Sequence, residues 1–178
     1  MLAAARRRPF LILLGALMVA SAAWLIHYRV RLGFFLDDWQ FVIGRHGEGI
    51  GNYLDPHQEH IVVIPVAIYK LFLNVFGMGT PMPLQIFSIL VFLLAVAMLF
   101  LYTRPMVGEP AAVIGCAVVL FLGIAWEDLL FAFQLGFSIC IATGIAALIM
   151  LRRNDASGDR WACALLVLAT LTVSLGVP

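Results

Sequence analysis

The sequence contains few charged residues, a single lysine and three cysteines, and each scarcity excludes a class of protein. Charged residues make up 12% of the 178 positions, hydrophobic residues make up 63%, and the mean hydropathy is +1.04. A soluble globular domain is nearer half apolar and a quarter charged. The composition therefore excludes an ordinary soluble domain and predicts an integral membrane protein.

The shortage of cations and cysteines excludes two further functions. The formal net charge is +1, and no basic run resembles a polyanion-binding arm, so we predict no nucleic-acid partner. Cys116, Cys140 and Cys163 lie inside apolar segments without the paired spacing of a metal site. We therefore interpret them as small buried apolar side chains rather than as disulfides or metal ligands.

Long apolar segments predict an all-α, polytopic helix bundle that forms one transmembrane domain over residues 1–178. A helix needs roughly 20 mainly apolar residues to cross a bilayer. Five segments are candidates by this rule, and polar or Gly- and Pro-containing linkers separate them. They are residues 9–28, 84–102, 111–126, 129–151 and 161–178.

The first segment also has the features of a secretory signal peptide. A basic stretch at residues 6–8 precedes an apolar core, and Ala20-Ser21-Ala22 offers a small-residue cleavage pattern. The apolar stretch continues through Leu25 and Ile26, which makes it long enough to span. We predict an uncleaved first membrane helix, with a cleaved signal peptide as the alternative.

Residues 61–76 predict a helix that lies along the membrane surface. The segment is short, contains Pro65 and carries Lys70 near its middle. A lysine at the centre of a spanning helix costs about 2.5–3.5 kcal/mol on insertion scales. A narrow polar face of Ala67, Lys70 and Asn74 with apolar residues elsewhere is typical of an interfacial helix.

Charge counting favours the same topology. If residues 61–76 do not cross, most arginines lie on the cytoplasmic side with the N-terminus, as the positive-inside rule prefers. The loop over residues 29–83 and the turn at 126–128 then face outward. Seven acids lie on that outward side: Asp37, Asp38, Glu48, Asp55, Glu59, Glu127 and Asp128.

Asp37 and Asp38, followed by Trp39, are the strongest candidates for chemistry. Adjacent carboxylates repel each other and are costly to desolvate, so we expect the pair to bind a cation, a proton or a basic substrate. One could act as general base while the other helps to hold a divalent cation. The alternative is a solvated cap of a helix that begins at Trp39.

A second constellation is His57, Glu59 and His60, which we predict to bind substrate hydroxyls or phosphate. The two histidines are three residues apart, so on a helical turn they would share a face. The order does not match the zincin motif, which needs histidines four apart. Metal ligation by the two histidines and a polar helix start after Pro56 are the alternatives.

Glu127 and Asp128 form a third polar group, in a tight turn between two predicted spans. Gln134 follows Glu127 by seven residues, two helical turns along, and would extend this group into the bundle. Adjacent carboxylates cost much free energy in contact with lipid and little in a hydrated loop. A polar site that extends into the bundle and a plain hydrated loop therefore both stay open as interpretations. The outward cations that could bind an anionic lipid phosphate are Arg29, Arg31, Arg45 and Lys70. The alternative is that they are exposed charges that balance the acids.

With these motifs in this order, the chain resembles the GT-C superfamily of polyprenyl-phosphate-dependent glycosyltransferases, and it is similar to bacterial members of that group. In that superfamily a first outward loop opens with an acidic pair, contains helices along the membrane and precedes a second acidic loop. The Asp37-Asp38-Trp39 motif and the Glu127-Asp128 motif match the two acidic positions. The resemblance rests on topology and order, because each motif is short.

The resemblance implies a function. Asp37 would activate the acceptor as general base, and Asp38 stands where many relatives have Glu. Glu127 and Asp128 would bind Mg²⁺ or Mn²⁺, with Asp37 and Asp38 as further ligands. The partners would be membrane lipid, a polyprenyl-phosphate sugar donor and a glycan, lipid or protein acceptor at the outer face of the plasma membrane. Relatives have more spans, so we expect the N-terminal portion of a larger enzyme.

Two other functions are compatible with the sequence. A transporter subunit would need ionisable groups at the bilayer midplane, whereas most acids here lie at span ends. A non-catalytic membrane scaffold would need the acids only as a hydrated rim.

Overall fold

The computed structural model describes residues 2–45, 47 and 49–173, and this part of the chain is all-α, as predicted. Nine α-helices follow one another, several of them only a turn long, with a π-helical turn at Gln40–Gly44 and 3₁₀ turns at Gly123–Ala125 and Ala132–Gln134. They are α1 (Leu2–Arg29), α2 (Asp37–Trp39), α3 (Gly51–Leu54), α4 (Val63–Phe76), α5 (Met82–Val107), α6 (Glu109–Leu120), α7 (Trp126–Leu130), α8 (Leu135–Leu151) and α9 (Ala156–Thr172).

Local sequence explains several helix boundaries. Proline lies in the first turn of α5 and of α6, where its missing N–H is not needed. Gly108 separates these two helices with a φ of 83°, a backbone conformation that favours glycine. Asp155 caps α9, because its side chain accepts a hydrogen bond from the Gly158 N–H.

Among the described residues, three helical segments are long and apolar enough to cross a membrane: Pro9–Arg29, Met82–Val107 and Ala132–Leu151. These correspond to three of the predicted spans. The remaining two are shorter in the described residues, because α6 has 12 residues and α9 has 17. Their membrane crossing stays a prediction.

The successive helices α1, α5, α6, α8 and α9 alternate in direction, so their ends gather in two groups. At one end, the Arg29 Nη1 of α1 donates to the Gln85 carbonyl of α5 at 2.7 Å. At the other end, the Arg152 Nη1 that follows α8 donates to the Tyr102 carbonyl of α5 at 3.0 Å. The loop after α1, α7 and the start of α8 therefore share the first end, which is the grouping that charge counting predicted.

The predicted surface helix forms as α4, which is too short to cross. Its Pro65, Val66 and Tyr69 are buried, whereas Leu71 and Val75 are exposed apolar residues. Tyr69 and its neighbours belong to a core cluster that joins the loop, α4 and the start of α8. The cluster consists of Phe41, Val42, Val62, Val66, Tyr69, Leu84, Ala132 and Leu135. This packing fixes the loop against the bundle; the position of α4 at a membrane surface stays a prediction.

Candidate functional site

Asp37 and Asp38 are adjacent in α2 but lie in opposite environments. The Asp37 side chain is 32% exposed. It lines a cavity of about 100 Å³ together with Glu127 and Gln134, and with the apolar residues Phe35, Leu36, Phe131 and Phe133. The two acidic motifs therefore meet at one place, although 90 positions separate them in the sequence (127 − 37).

Asp38, by contrast, is buried and serves as a hydrogen-bond acceptor for three segments. Its Oδ2 accepts from the Phe35 N–H at 3.0 Å, and its Oδ1 accepts from the Phe133 N–H at 2.9 Å and from the Tyr69 hydroxyl. Burial raises the pKa of Asp38 above its ordinary value, while these hydrogen bonds lower it. The structure therefore gives Asp38 an architectural role, and the carboxylate that faces open space is that of Asp37.

The helix predicted over 129–151 is broken, and two charged residues explain the break. In a continuous helix the Phe133 N–H would donate to the Leu129 carbonyl. Here the Phe133 N–H donates to Asp38, and the Leu129 carbonyl accepts from the guanidinium of Arg29, with its Nε at 3.0 Å. The donor of the missing helical hydrogen bond is thus satisfied by the buried carboxylate of Asp38, and its acceptor by the buried guanidinium of Arg29.

This break corrects the reasoning about Gln134. Glu127 and Gln134 do not lie two turns apart on one helix, because α7 ends at Leu130 and Phe131 is extended, with φ −100° and ψ 136°. They nevertheless line the same cavity. Gln134 was thus placed correctly beside Glu127, but by a tertiary arrangement rather than by helical periodicity.

The histidine motif also adopts a different backbone from the predicted helical turn. His57 and His60 pair as a two-residue hairpin, with both N–H···O distances at 2.9 Å. Gln58 and Glu59 between them have φ values of 47° and 69°, as a type I′ turn requires. Glu59 is exposed and His60 half-buried, so the motif does not present its polar groups on one face.

His57 is the member of this motif that reaches the site. Its ring is 5% exposed and contacts the rings of Phe41 and Phe133, with centroids 5.2 and 5.0 Å away. Its Nε2 lies 3.8 Å from the Asp37 Oδ2 and is buried without a hydrogen-bond partner. Burial lowers the pKa of His57, more than the nearby Asp37 carboxylate raises it.

The predicted phosphate-binding cations are distributed differently. Arg29 is 2% exposed and donates to the main-chain carbonyls of Gln85 and Leu129. Its guanidinium therefore links α1 to α5 and α7 and is not open to a phosphate group. Arg31 is exposed. Lys70 donates to the Gly47 carbonyl and lies 4.5 Å above the Tyr53 ring.

Lys70 therefore belongs to a separate cavity. This second cavity, of about 400 Å³, is lined by Lys70 and Arg45 and not by the acids of the Asp37 cavity. Arg45 is also committed to main-chain carbonyls, those of Asn52 at 2.9 Å and Asp55 at 2.8 Å. Both cations hold the loop over residues 45–56 together.

The predicted metal ligands do not form a coordination group in the described residues. Glu127 is exposed at the mouth of the Asp37 cavity, and the side chain of Asp128 lies outside the described part of the structure, as does Glu48. Among the side chains that the structure describes, no three His, Cys, Asp or Glu residues come together as a metal site. Binding of Mg²⁺ or Mn²⁺ stays a prediction.

Two groups at the site carried no signal in the sequence. Tyr69 lies in an apolar helix beside the more conspicuous Lys70, and the Phe133 N–H is a main-chain donor. Both become recognisable only once α4 and the segment after α7 pack around Asp38.

No protein-family model matches this chain, and no curated protein or solved structure shows significant similarity to it. The GT-C resemblance accordingly rests on the sequence motifs and their order alone and stays a prediction.

Proposed function

We propose that this chain transfers a sugar from a polyprenyl-phosphate-linked donor to an acceptor hydroxyl, with Asp37 as general base. The observation that carries the proposal is the cavity shared by Asp37, Glu127 and Gln134, in which Asp37 alone of the acidic pair has an exposed carboxylate. A base must reach the hydroxyl that it deprotonates, and this position of Asp37 meets that requirement.

In the proposed reaction, Asp37 accepts the proton of the acceptor hydroxyl as its oxygen attacks the anomeric carbon. The bond between that carbon and the phosphate oxygen breaks, and polyprenyl phosphate leaves with the bonding electrons. Glu127 and Gln134 are placed to accept and donate hydrogen bonds to sugar or acceptor hydroxyls.

An apolar groove that shares α7 with this cavity supports a lipid-linked donor. It has a volume of about 270 Å³ and is lined by Trp24, Leu25, Tyr28, Gly123, Leu129 and Leu130. Leu129 and Leu130 lie on α7, the same short helix that carries Glu127. A lipid chain in this groove would place its headgroup near the polar cavity.

The proposal includes a location. The chain would be a multi-pass protein of the plasma membrane with its N-terminus in the cytoplasm and the Asp37 cavity outside. The three spanning-length helices support insertion in a membrane. The arginines near the N-terminus, at the end of α5 and after α8 support this orientation under the positive-inside rule.

The test is sugar transfer by the full-length protein in proteoliposomes, measured as release of polyprenyl phosphate from a panel of donors. Asp37→Asn should lower the rate by about 100-fold or more, as expected for loss of a general base. The matched control is Asp159→Asn, which changes an exposed acid at the opposite end of the bundle and should retain the wild-type rate. A wild-type rate for Asp37→Asn would refute the role of Asp37, and no release from any donor by the wild-type protein would refute glycosyl transfer.

A further inference from the structure

The buried imidazole of His57 is held more firmly than a surface ligand would need. The hairpin hydrogen bonds with His60 fix its backbone, and the rings of Phe41 and Phe133 contact its own ring from two elements. Because Nε2 is sealed from solvent, His57 does not offer this nitrogen to a substrate. Direct substrate binding through Nε2 therefore does not explain its position.

Among the carboxylates that the structure describes, the one paired with this nitrogen is that of Asp37. Its Oδ2 lies 3.8 Å from Nε2, and a small rotation of the Asp37 side chain would bring the atoms to hydrogen-bond distance. Arg45 and His60 are the other titratable groups whose charges act on His57. A neutral imidazole carries one N–H, which can be on Nε2 and can donate to a carboxylate.

We propose that His57 is a positioning residue that donates its Nε2–H to Asp37 Oδ2 and so orients the carboxylate toward the cavity. The inference rests on the proposed function, in which Asp37 is the general base. Because this hydrogen bond fixes Oδ2, Oδ1 points to the cavity and receives the proton of the acceptor hydroxyl. His57 neither gains nor loses a proton in this step.

Two substitutions of His57 separate its hydrogen bond from its shape. His57→Phe keeps an aromatic ring between Phe41 and Phe133 but has no donor, whereas the side-chain amide of His57→Gln can place an N–H near the position of Nε2. We expect His57→Phe to lower kcat by about 10-fold to 100-fold, the loss typical when an outer partner that orients a reacting group is removed. KM for the donor should be unchanged, and His57→Gln should recover most of kcat.

The matched control is His27→Gln, which changes an exposed histidine at the end of α1 and should leave kcat unchanged. A His57→Phe protein with wild-type kcat would overturn the inference. Equal losses in the Phe and Gln variants would also overturn it, because the hydrogen bond would then not be the property that matters.

A second measurement does not depend on activity. In the full chain labelled with ¹⁵N-histidine, the four histidines give separate ring signals, and the signal lost in His57→Gln identifies His57. We expect an Nε2–H proton shifted downfield by its carboxylate acceptor, and loss of that shift in Asp37→Leu but not in Asp55→Leu.

The two measurements distinguish failure of the inference from failure of the proposed function. If Asp37→Asn abolishes transfer and the Nε2–H signal is the same with and without the Asp37 carboxylate, the pairing is wrong while the function stands. If the signal depends on Asp37 and Asp37→Asn transfers sugar normally, the pairing stands and the role of Asp37 as general base is refuted.

Discussion

Replacing Arg29 by lysine tests whether this cation binds substrate or holds the bundle together. A lysine would preserve the positive charge and would satisfy a simple phosphate site. The structure instead uses the planar guanidinium to reach several acceptors at once, the Leu129 and Gln85 carbonyls and the Ser88 hydroxyl. A compact ammonium cannot reproduce that fork. We therefore expect Arg29→Lys to destabilise the protein even though the charge is kept.

The magnitude follows from the hydrogen bonds that would be lost. A buried acceptor left without a partner costs about 1–3 kcal/mol, and a lysine would leave at least one of the two carbonyls unsatisfied. The hydrogen bond from lysine to the other carbonyl would also be weaker. Together we expect a loss of about 2–4 kcal/mol in the free energy of unfolding. For a chain of this size that corresponds to a decrease in Tm of roughly 4–16 °C.

The assay is thermal unfolding of purified protein in one detergent, followed by circular dichroism at fixed pH and salt. Arg31→Lys is the matched control, because Arg31 is exposed and two residues away; we expect a change within about 0.5 kcal/mol. The reasoning is refuted if Arg29→Lys unfolds at the same temperature as Arg31→Lys. A loss of donor binding without loss of stability would instead support the substrate-binding role predicted from the sequence.

Three further predictions concern Asp38, Tyr69 and Asp155. Burial raises the pKa of Asp38, so its contribution to stability is fully present below the unfolded-state pKa and is lost as pH rises through the folded-state pKa. The Tm of the wild type minus that of Asp38→Asn should therefore fall as the pH rises from about 4, and a difference that stays constant with pH would contradict this. Tyr69→Phe removes the hydroxyl that donates to Asp38 and should cost about 1.5–3 kcal/mol in thermal unfolding, whereas Tyr53→Phe should cost less. Asp155→Ala removes the cap of α9 and should cost about 1 kcal/mol, while Asp159→Ala, in the same helical turn, should be close to neutral.

The sequence was informative wherever one property decides the structure. Apolar segments of sufficient length predicted the helical bundle. The short segment with Lys70 and Pro65 predicted a helix that does not span, and α4 is too short to cross a membrane. Arginine distribution predicted which helix ends come together, and the structure places the loop after α1 and α7 at one end. The hydropathy of a segment and the distribution of arginines are summed over many residues, so a single side chain changes neither prediction.

The site was less predictable because it depends on main-chain groups. No pattern in residues 129–151 indicates a helix break, since every residue there is compatible with a membrane helix. The break exists because Arg29 and Asp38 satisfy the Leu129 carbonyl and the Phe133 N–H from outside the segment. The same break moves Gln134 beside Glu127, which helical spacing predicted for the wrong reason.

What the sequence by itself determined is the class of structure, an all-α membrane-type chain with two acidic motifs at one end. Hydrophobicity and charge set these features, and both are carried by residue type alone. Only the tertiary structure decided that Asp38 is buried while Asp37 faces a cavity with Glu127, and that His57 stands behind Asp37. Identical carboxylates acquire different roles here because their surroundings differ in burial and hydrogen bonding, and those surroundings come from segments about 20 to 100 positions away in the chain.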